Sequence, residues 1–181
     1  SNYKTPVFVK KVRHQNLHGL AQTDNLIVTH PLFLSQANRL ASLHENNGVS
    51  THVVTTDQIY NEFSGGTQDP TAIKFFAKMF YDRAEGDPNK MPKYLTLFGD
   101  GTYDPKERVS NNNYMVPVYH TVTSEGYIST LLSDDYFGFL DESESFDPSD
   151  ELDIAVGRLV ATTEEDAINL VNKIEHYMKN G

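Results

Sequence analysis

The stretch Tyr94-Leu-Thr-Leu-Phe-Gly-Asp-Gly-Thr-Tyr-Asp104 constrains this chain more than any other. Its first half alternates apolar and β-favouring side chains, the pattern of a short buried strand. The strand stops abruptly at Gly99-Asp100-Gly101, where two glycines let the backbone turn sharply and hold a carboxylate at its carboxyl end. In an open α/β sheet that end collects ligands and catalytic groups. Asp100, with Asp104 beside it, is therefore a candidate site carboxylate. A tight strand-to-loop turn that uses Asp accounts for the same residues.

Upstream, strands and helices alternate. Leu26-Ile-Val-Thr-His30 reads as a buried strand, and Pro31 suits the first position of a helix. Phe33, Ala37, Leu40, Ala41 and His44 share one face of that helix, which Gly48 ends. Residues 49–55 form a second strand, and Thr56-Asp57 can cap a short helical turn through Ile59 and Tyr60. After a flexible loop, Asp69 and Pro70 open the next helix. Its apolar stripe is Ile73, Phe76, Ala77, Phe80 and Tyr81, and Glu85-Gly-Asp-Pro-Asn89 breaks it. The order β-α-β-α-β predicts an α/β fold: a mostly parallel sheet inside a three-layer sandwich.

The two ends read less sharply. Ser1-Asn2 resembles an expression-tag remnant, and residues 1–15 are assigned to it and to a linker or a strand (residues 7–12) from a preceding domain. No signal peptide follows. Residues 16–181 form one domain. Asn16-Leu-His-Gly19 is a turn, residues 109–113 a polar loop and residues 115–119 a strand. Leu152-Asp-Ile-Ala-Val156 is a strand ending in Gly157-Arg158. A capping box of Thr162 and Glu165 starts the last helix. Its apolar face holds Ala167, Leu170, Val171, Ile174, Tyr177 and Met178.

Composition excludes several classes of function. A formal net charge of −10 opposes binding to nucleic acid or an anionic membrane as the main activity. No apolar run approaches the ~18 residues that a membrane span needs. Cysteine is absent, which removes disulfides, thiolate metal sites and a cysteine nucleophile from these residues. No dinucleotide, P-loop or serine-hydrolase fingerprint is present. The histidines lack metal-ligand spacing, and His30 at a strand end reads first as a packing residue. The acid-rich segment holds Asp134, Asp135 and Asp141, oxygen ligands of the kind calcium takes, although acid-rich loops are usually just solvated. Arg158 either pairs with a nearby acid or faces an anionic group.

Seven ordered phrases carry a resemblance: Asn16-Leu-His-Gly19, Leu26-Ile-Val-Thr-His-Pro31, Gln58-Ile-Tyr-Asn-Glu-Phe-Ser64, Lys78-Met-Phe-Tyr-Asp-Arg83, Tyr94-Leu-Thr-Leu-Phe-Gly-Asp-Gly101, Asp134-Asp-Tyr-Phe-Gly138 and Asp153-Ile-Ala-Val-Gly-Arg158. From Asn16 to about Tyr177 the chain resembles the first part of the gingipain-like cysteine peptidases, and within them the type IX secretion sortases of Bacteroidetes. The resemblance implies a caspase-like catalytic region of two side-by-side subdomains, of which this chain is the first. The working Cys and His lie in the second, so the chain alone is not an enzyme. Its implied partners are that catalytic subdomain and a protein or peptide substrate, secreted cargo whose carboxy-terminal sorting domain is removed by hydrolysis or transpeptidation. Asp100, Asp104, Asp153 and Arg158 are then cleft candidates, Asp153 for the primary specificity pocket unless it is a salt-bridge partner. Asp134, Asp135 and Asp141 are candidates for calcium, with no cofactor required. The implied location is extracytoplasmic, at the outer membrane or cell surface. A second reading is a flavodoxin-like binding module with a carboxylate or calcium site at Asp100.

Overall fold

The computed structural model describes residues 4–8, 11–12, 14–105, 108, 110, 113–120, 132–142 and 150–180. The first strand, β1 (Asn25–Thr29), is buried at every position, as a strand covered on both faces must be. Pro31–Phe33 makes a 3-10 turn into α1 (Leu34–Asn46). Gly48, at φ +81°, ends the helix in the conformation glycine adopts without strain. Then come β2 (Thr51–Thr55), α2 (Thr56–Phe63), α3 (Pro70–Arg83) and β3 (Tyr94–Phe98). A two-stranded antiparallel ribbon follows, β4 (Tyr119–His120) with β5 (Leu132–Ser133). β6 (Ala155–Leu159) and α4 (Glu164–Asn180) complete the described elements.

β2, β1, β3 and β6 form one parallel sheet in that order. Alternation assigns the two faces. Leu26, Val28, Leu95 and Leu97 pack with Ile59, Ile73, Phe76 and Phe80 of α2 and α3. Ile27 and Phe98 pack on the other side with Ala37 and Leu40 of α1 and Ala167 and Val171 of α4. Phe76 and Phe80 meet edge to face, centroids 5.3 Å apart and fully buried. Truncating either ring to Ala would cost about 3 to 5 kcal/mol. Arg39 ties α1 to α4 by bonding Glu175 and, at 2.7 Å, Asn172. The predicted α/β three-layer sandwich is the fold observed.

Local expectations shift in several places. Residues 7, 8, 11 and 12 make no strand, and Val7 and Phe8 are each 82% exposed; a strand without a neighbour has nothing to hold it. The rest of that segment (residues 9 and 10) and parts of the loop at 109–113 lie outside the described residues. Residues 115–118 are irregular rather than a strand, because Met115 and Val116 both donate their N–H to the Asp100 carbonyl. Thr55, not Thr56, caps α2, in a capping box with Gln58. The helix start at residue 164 has its box one residue later than predicted. Thr163 Oγ1 accepts from Asp166 N, and the Asp166 carboxylate accepts from the N–H groups of Thr162 and Thr163. Tyr177 is 77% exposed rather than packed. No helix among the described residues is long and apolar enough to cross a membrane.

Candidate functional site

The carboxyl end of the sheet is built from the turns that follow β1, β2 and β3, and from the last residues of β6. Gly99 sits at φ +145°, and a Cβ there would lie 2.9 Å from Val116 Cγ2 and 3.0 Å from Met115 Cβ. A Cβ on Gly101 would lie 2.4 Å from Val118 Cγ1. The glycines therefore admit the 115–118 segment against the strand end as well as making the turn. Asp100 is pinned through its backbone: its N–H donates to Ala161 O (2.9 Å) and its carbonyl accepts from Met115 and Val116. Its carboxylate is half-buried and accepts from Gly101 N at 2.9 Å. Asp104 is 8% exposed, with its N–H bonded to the Thr102 hydroxyl at 3.0 Å.

Arg158 closes this end like a clasp. Nε and Nη2 grip the Asp134 carboxylate at 2.8 and 2.6 Å. Nη1 donates to Gly99 O (2.9 Å) and Val116 O (3.0 Å), and Nη2 also to Pro117 O (2.9 Å). That uses all five N–H donors of the guanidinium. Arg158 thus binds β3, β6, the 116–117 segment and the Asp134 turn together.

On the other side of this end lie His30, which the sequence placed at a strand end and read first as packing, and Tyr60 and Tyr114, which sequence reasoning missed as site groups. His30 is held by Phe98 O to its N–H (3.2 Å), and its Nδ1 accepts from Leu32 N (3.3 Å). Burial lowers its pKa against an opposing pull from Asp57, so the ring is neutral near pH 7. Burial likewise raises the Tyr60 hydroxyl, assisted by Tyr114, Asp57 and Asp69. Tyr114 is pushed up to about 12, by burial first and Asp69 second, with Arg158 opposing. Asp57 acts on both His30 and Tyr60, and Asp69 on both tyrosines, so these groups share one neighbourhood. Tyr136 stacks on Tyr119 with centroids 3.8 Å apart, under the Lys74 ammonium. The available signals were the strand-end position of His30 and the place of Asp57 and Asp69 at helix starts. Chemically, this end offers protonated phenols, a neutral imidazole and the Asp100 carboxylate. They can bind and orient a substrate; the attacking thiolate of a cysteine peptidase cannot come from a chain without Cys.

The remaining candidates lie elsewhere. Asp153 precedes β6 rather than sitting inside a strand, at the amino end of the sheet and away from Asp100. The predicted strand at 152–156 starts three residues late because the Asp153 carboxylate turns aside to accept from Leu140 N (2.7 Å) and Asp141 N (3.3 Å). Asp141 accepts from the Tyr81 hydroxyl at 3.1 Å. Burial first, then bonds to Asp153 and Asp141, push the Tyr81 pKa upward. Asp135 is exposed and opens the 3-10 turn Asp135–Phe137. The structure does not gather Asp134, Asp135 and Asp141: among the described residues no group of three His, Cys, Asp or Glu side chains is placed to hold a metal ion.

With this geometry in view, known proteins give a consistent comparison. The family model described as peptidase family C25 matches residues 18–181. No curated protein matches the chain. Among solved structures, the dimeric latent PorU of Porphyromonas gingivalis is 36% identical with a TM-score of 0.77, over 92% of this chain and 16% of that one. The complex of Porphyromonas gingivalis RgpB pro- and mature domains is 18% identical, TM-score 0.58, over 84% of this chain and 28% of that one. The Arg-specific cysteine proteinase gingipain R (RgpB) is 16% identical, TM-score 0.59, over 91% of this chain and 30% of that one. The two RgpB structures speak for the shared fold alone. The chain spans under a third of the length of each of these proteins.

Proposed function

The chain belongs to peptidase family C25, and we propose on that basis that it is the supporting subdomain of a cysteine endopeptidase of the type IX sortase kind. The observation that carries this reading is the 36% identity to PorU over 92% of the chain. In this reading a downstream subdomain of the same protein supplies the Cys and His, and the present residues give it a rigid neighbour. The carboxyl end of the sheet, with Asp100, His30, Tyr60 and Tyr114, faces the shared cleft. The substrate is a secreted protein from which a carboxy-terminal sorting domain is cut, outside the cytoplasm.

The test is made in the full-length protein. Replacing the first Cys that follows a downstream His-Gly pair with Ala should leave cargo unprocessed, with its sorting domain attached. Processing that continued at the wild-type rate, or a protein with no Cys and His beyond residue 181, would overturn the proposal. Asp100→Asn in an active full-length protein should raise KM for a peptide reporter severalfold while leaving kcat nearly unchanged, the signature of lost substrate positioning.

A further inference from the structure

His30 leaves the carboxyl end of β1, an inner strand of the sheet, at the same end as the Asp100 turn. Its own N–H donates to Phe98 O at 3.2 Å, and Pro31 restricts the chain immediately after it. The imidazole rests against Phe33, with centroids 5.8 Å apart, and Phe33 in turn stacks on Phe98 at the same separation. Phe33 and Phe98 are both fully buried, so the core holds the ring in place.

The two ring nitrogens have different tasks. A backbone N–H can only donate, and Leu32 N reaches Nδ1 at 3.3 Å, so Nδ1 is the acceptor. A neutral imidazole then carries its proton on Nε2. Burial, opposed by Asp57, lowers the His30 pKa and keeps the ring in that neutral form near pH 7. Nε2–H bonds none of the described residues. The sealed polar atoms without a partner are, among the described residues, Gln22 Oε1, Thr23 Oγ1 and Asn25 Oδ1. Nε2 is not one of them, and His30 is half-buried, so this donor keeps contact with solvent.

The surroundings select what such a donor can take. Asp57 acts on the ring itself, and Asp69 and Asp100 belong to the same end of the sheet, so an anionic group is repelled. An ammonium has no acceptor to offer. A neutral carbonyl oxygen remains. We propose, on the peptidase reading above, that His30 is a substrate-binding residue whose Nε2–H donates to a backbone carbonyl of the polypeptide in the cleft. The main chain is the one source of that acceptor that every cargo sequence supplies. A donor already fixed before substrate arrives loses little freedom on binding. Its bond is made equally to bound substrate and transition state, which lowers KM and leaves kcat alone.

Two substitutions separate this donor from the turn that His30 caps. His30→Asn keeps an acceptor where Nδ1 stands and can still receive Leu32 N–H, but it places nothing at Nε2. His30→Gln reaches further and puts an amide N–H near the position of Nε2–H. In the active full-length protein, assayed with a peptide reporter, His30→Asn should raise KM about tenfold, the factor one net hydrogen bond supplies, with kcat nearly unchanged. His30→Gln should stay close to the parent KM. A residue that only caps its turn gives the opposite order, with Asn like the parent and Gln impaired. That order, or equal KM in the two variants, would overturn the inference. Replacement of the downstream Cys by Ala, run in parallel, distinguishes the two readings. Cleavage abolished there, while KM ignores the choice of Asn or Gln, removes the role of His30 alone. Cleavage that persists there removes the peptidase reading, and the role of His30 with it.

Discussion

Arg158 shows how far a single side chain can decide the carboxyl end of this sheet. Its charge is 10% exposed, it is matched by one carboxylate, and it satisfies three carbonyls that the sheet does not reach. Arg158→Met should destabilise the chain by roughly 3 kcal/mol, because Asp134 and those carbonyls lose their donors together. Arg158→Lys should recover only a minority of that loss, since an ammonium cannot reproduce the planar fork. Denaturant unfolding of the two variants checks both statements. Gly99→Ala combines a left-handed φ with close contacts to Val116 and Met115 and should cost about 1 to 3 kcal/mol. The Gly99-Asp100-Gly101 turn was legible in the sequence because glycines flanking an acid at a strand end have few other uses. What the glycines make room for was not legible, because the 115–118 segment carries no pattern that places it there. The Tyr60, Tyr114 and His30 neighbourhood stayed hidden for a related reason: its members come from separate turns, and only folding brings them together.

At the scale of elements, one carboxylate gathers Gln15, Leu17 and His18 against α2, while Arg83 of α3 donates to the His18 and Leu20 carbonyls. Glu62 of α2 accepts from Leu17 N with both oxygens at 2.9 Å, from Gln15 Nε2 at 2.8 Å and from His18 N at 3.3 Å. Burial alone would raise its pKa, but the bonds from Leu17, Gln15 and His18 together outweigh it and hold the pKa below the ordinary 4.5. A carboxyl lowered by folding stabilises the folded state fully above its unfolded pKa and loses that contribution as pH falls through the folded value. Hydrogen exchange at the Leu17 and His18 amides should therefore be slow above about pH 5 and accelerate, at constant intrinsic rate, below about pH 4. Glu62→Gln should speed exchange at every pH and remove the acid step; an unchanged acid step in that variant would show that another group controls it. Periodicity made α3 legible almost to the residue, since its stripe, N-cap and first-turn proline all agree. It misplaced β6, because Leu152-Asp-Ile-Ala-Val156 alternates as a strand should while Asp153 serves loop amides instead.

For the whole molecule, the strand order leaves β6 paired with β3 alone among the described residues. A strand with one neighbour presents a row of unused N–H and C=O groups, a template for another strand. Gly157 on this strand meets nothing within 4 Å of a built Cβ, so Gly157→Lys fits without strain. Wherever further chain does not cover that edge, the lysine variant should sediment as a monomer at concentrations where the parent self-associates, with an unchanged melting temperature. The sandwich itself was legible because alternating strands and helices admit few arrangements. The central place of β1 has one more consequence, in the order of synthesis. β1 reaches its first neighbour within one helix, but its other neighbour begins at Tyr94, 65 residues after Thr29. At translation rates of ~5–20 residues per second that interval is on the order of ten seconds. A nascent chain therefore holds its most deeply buried strand half-paired while the ribosome works toward β3. Slowing translation between β1 and β3 should lower soluble yield more than the same delay placed after α4.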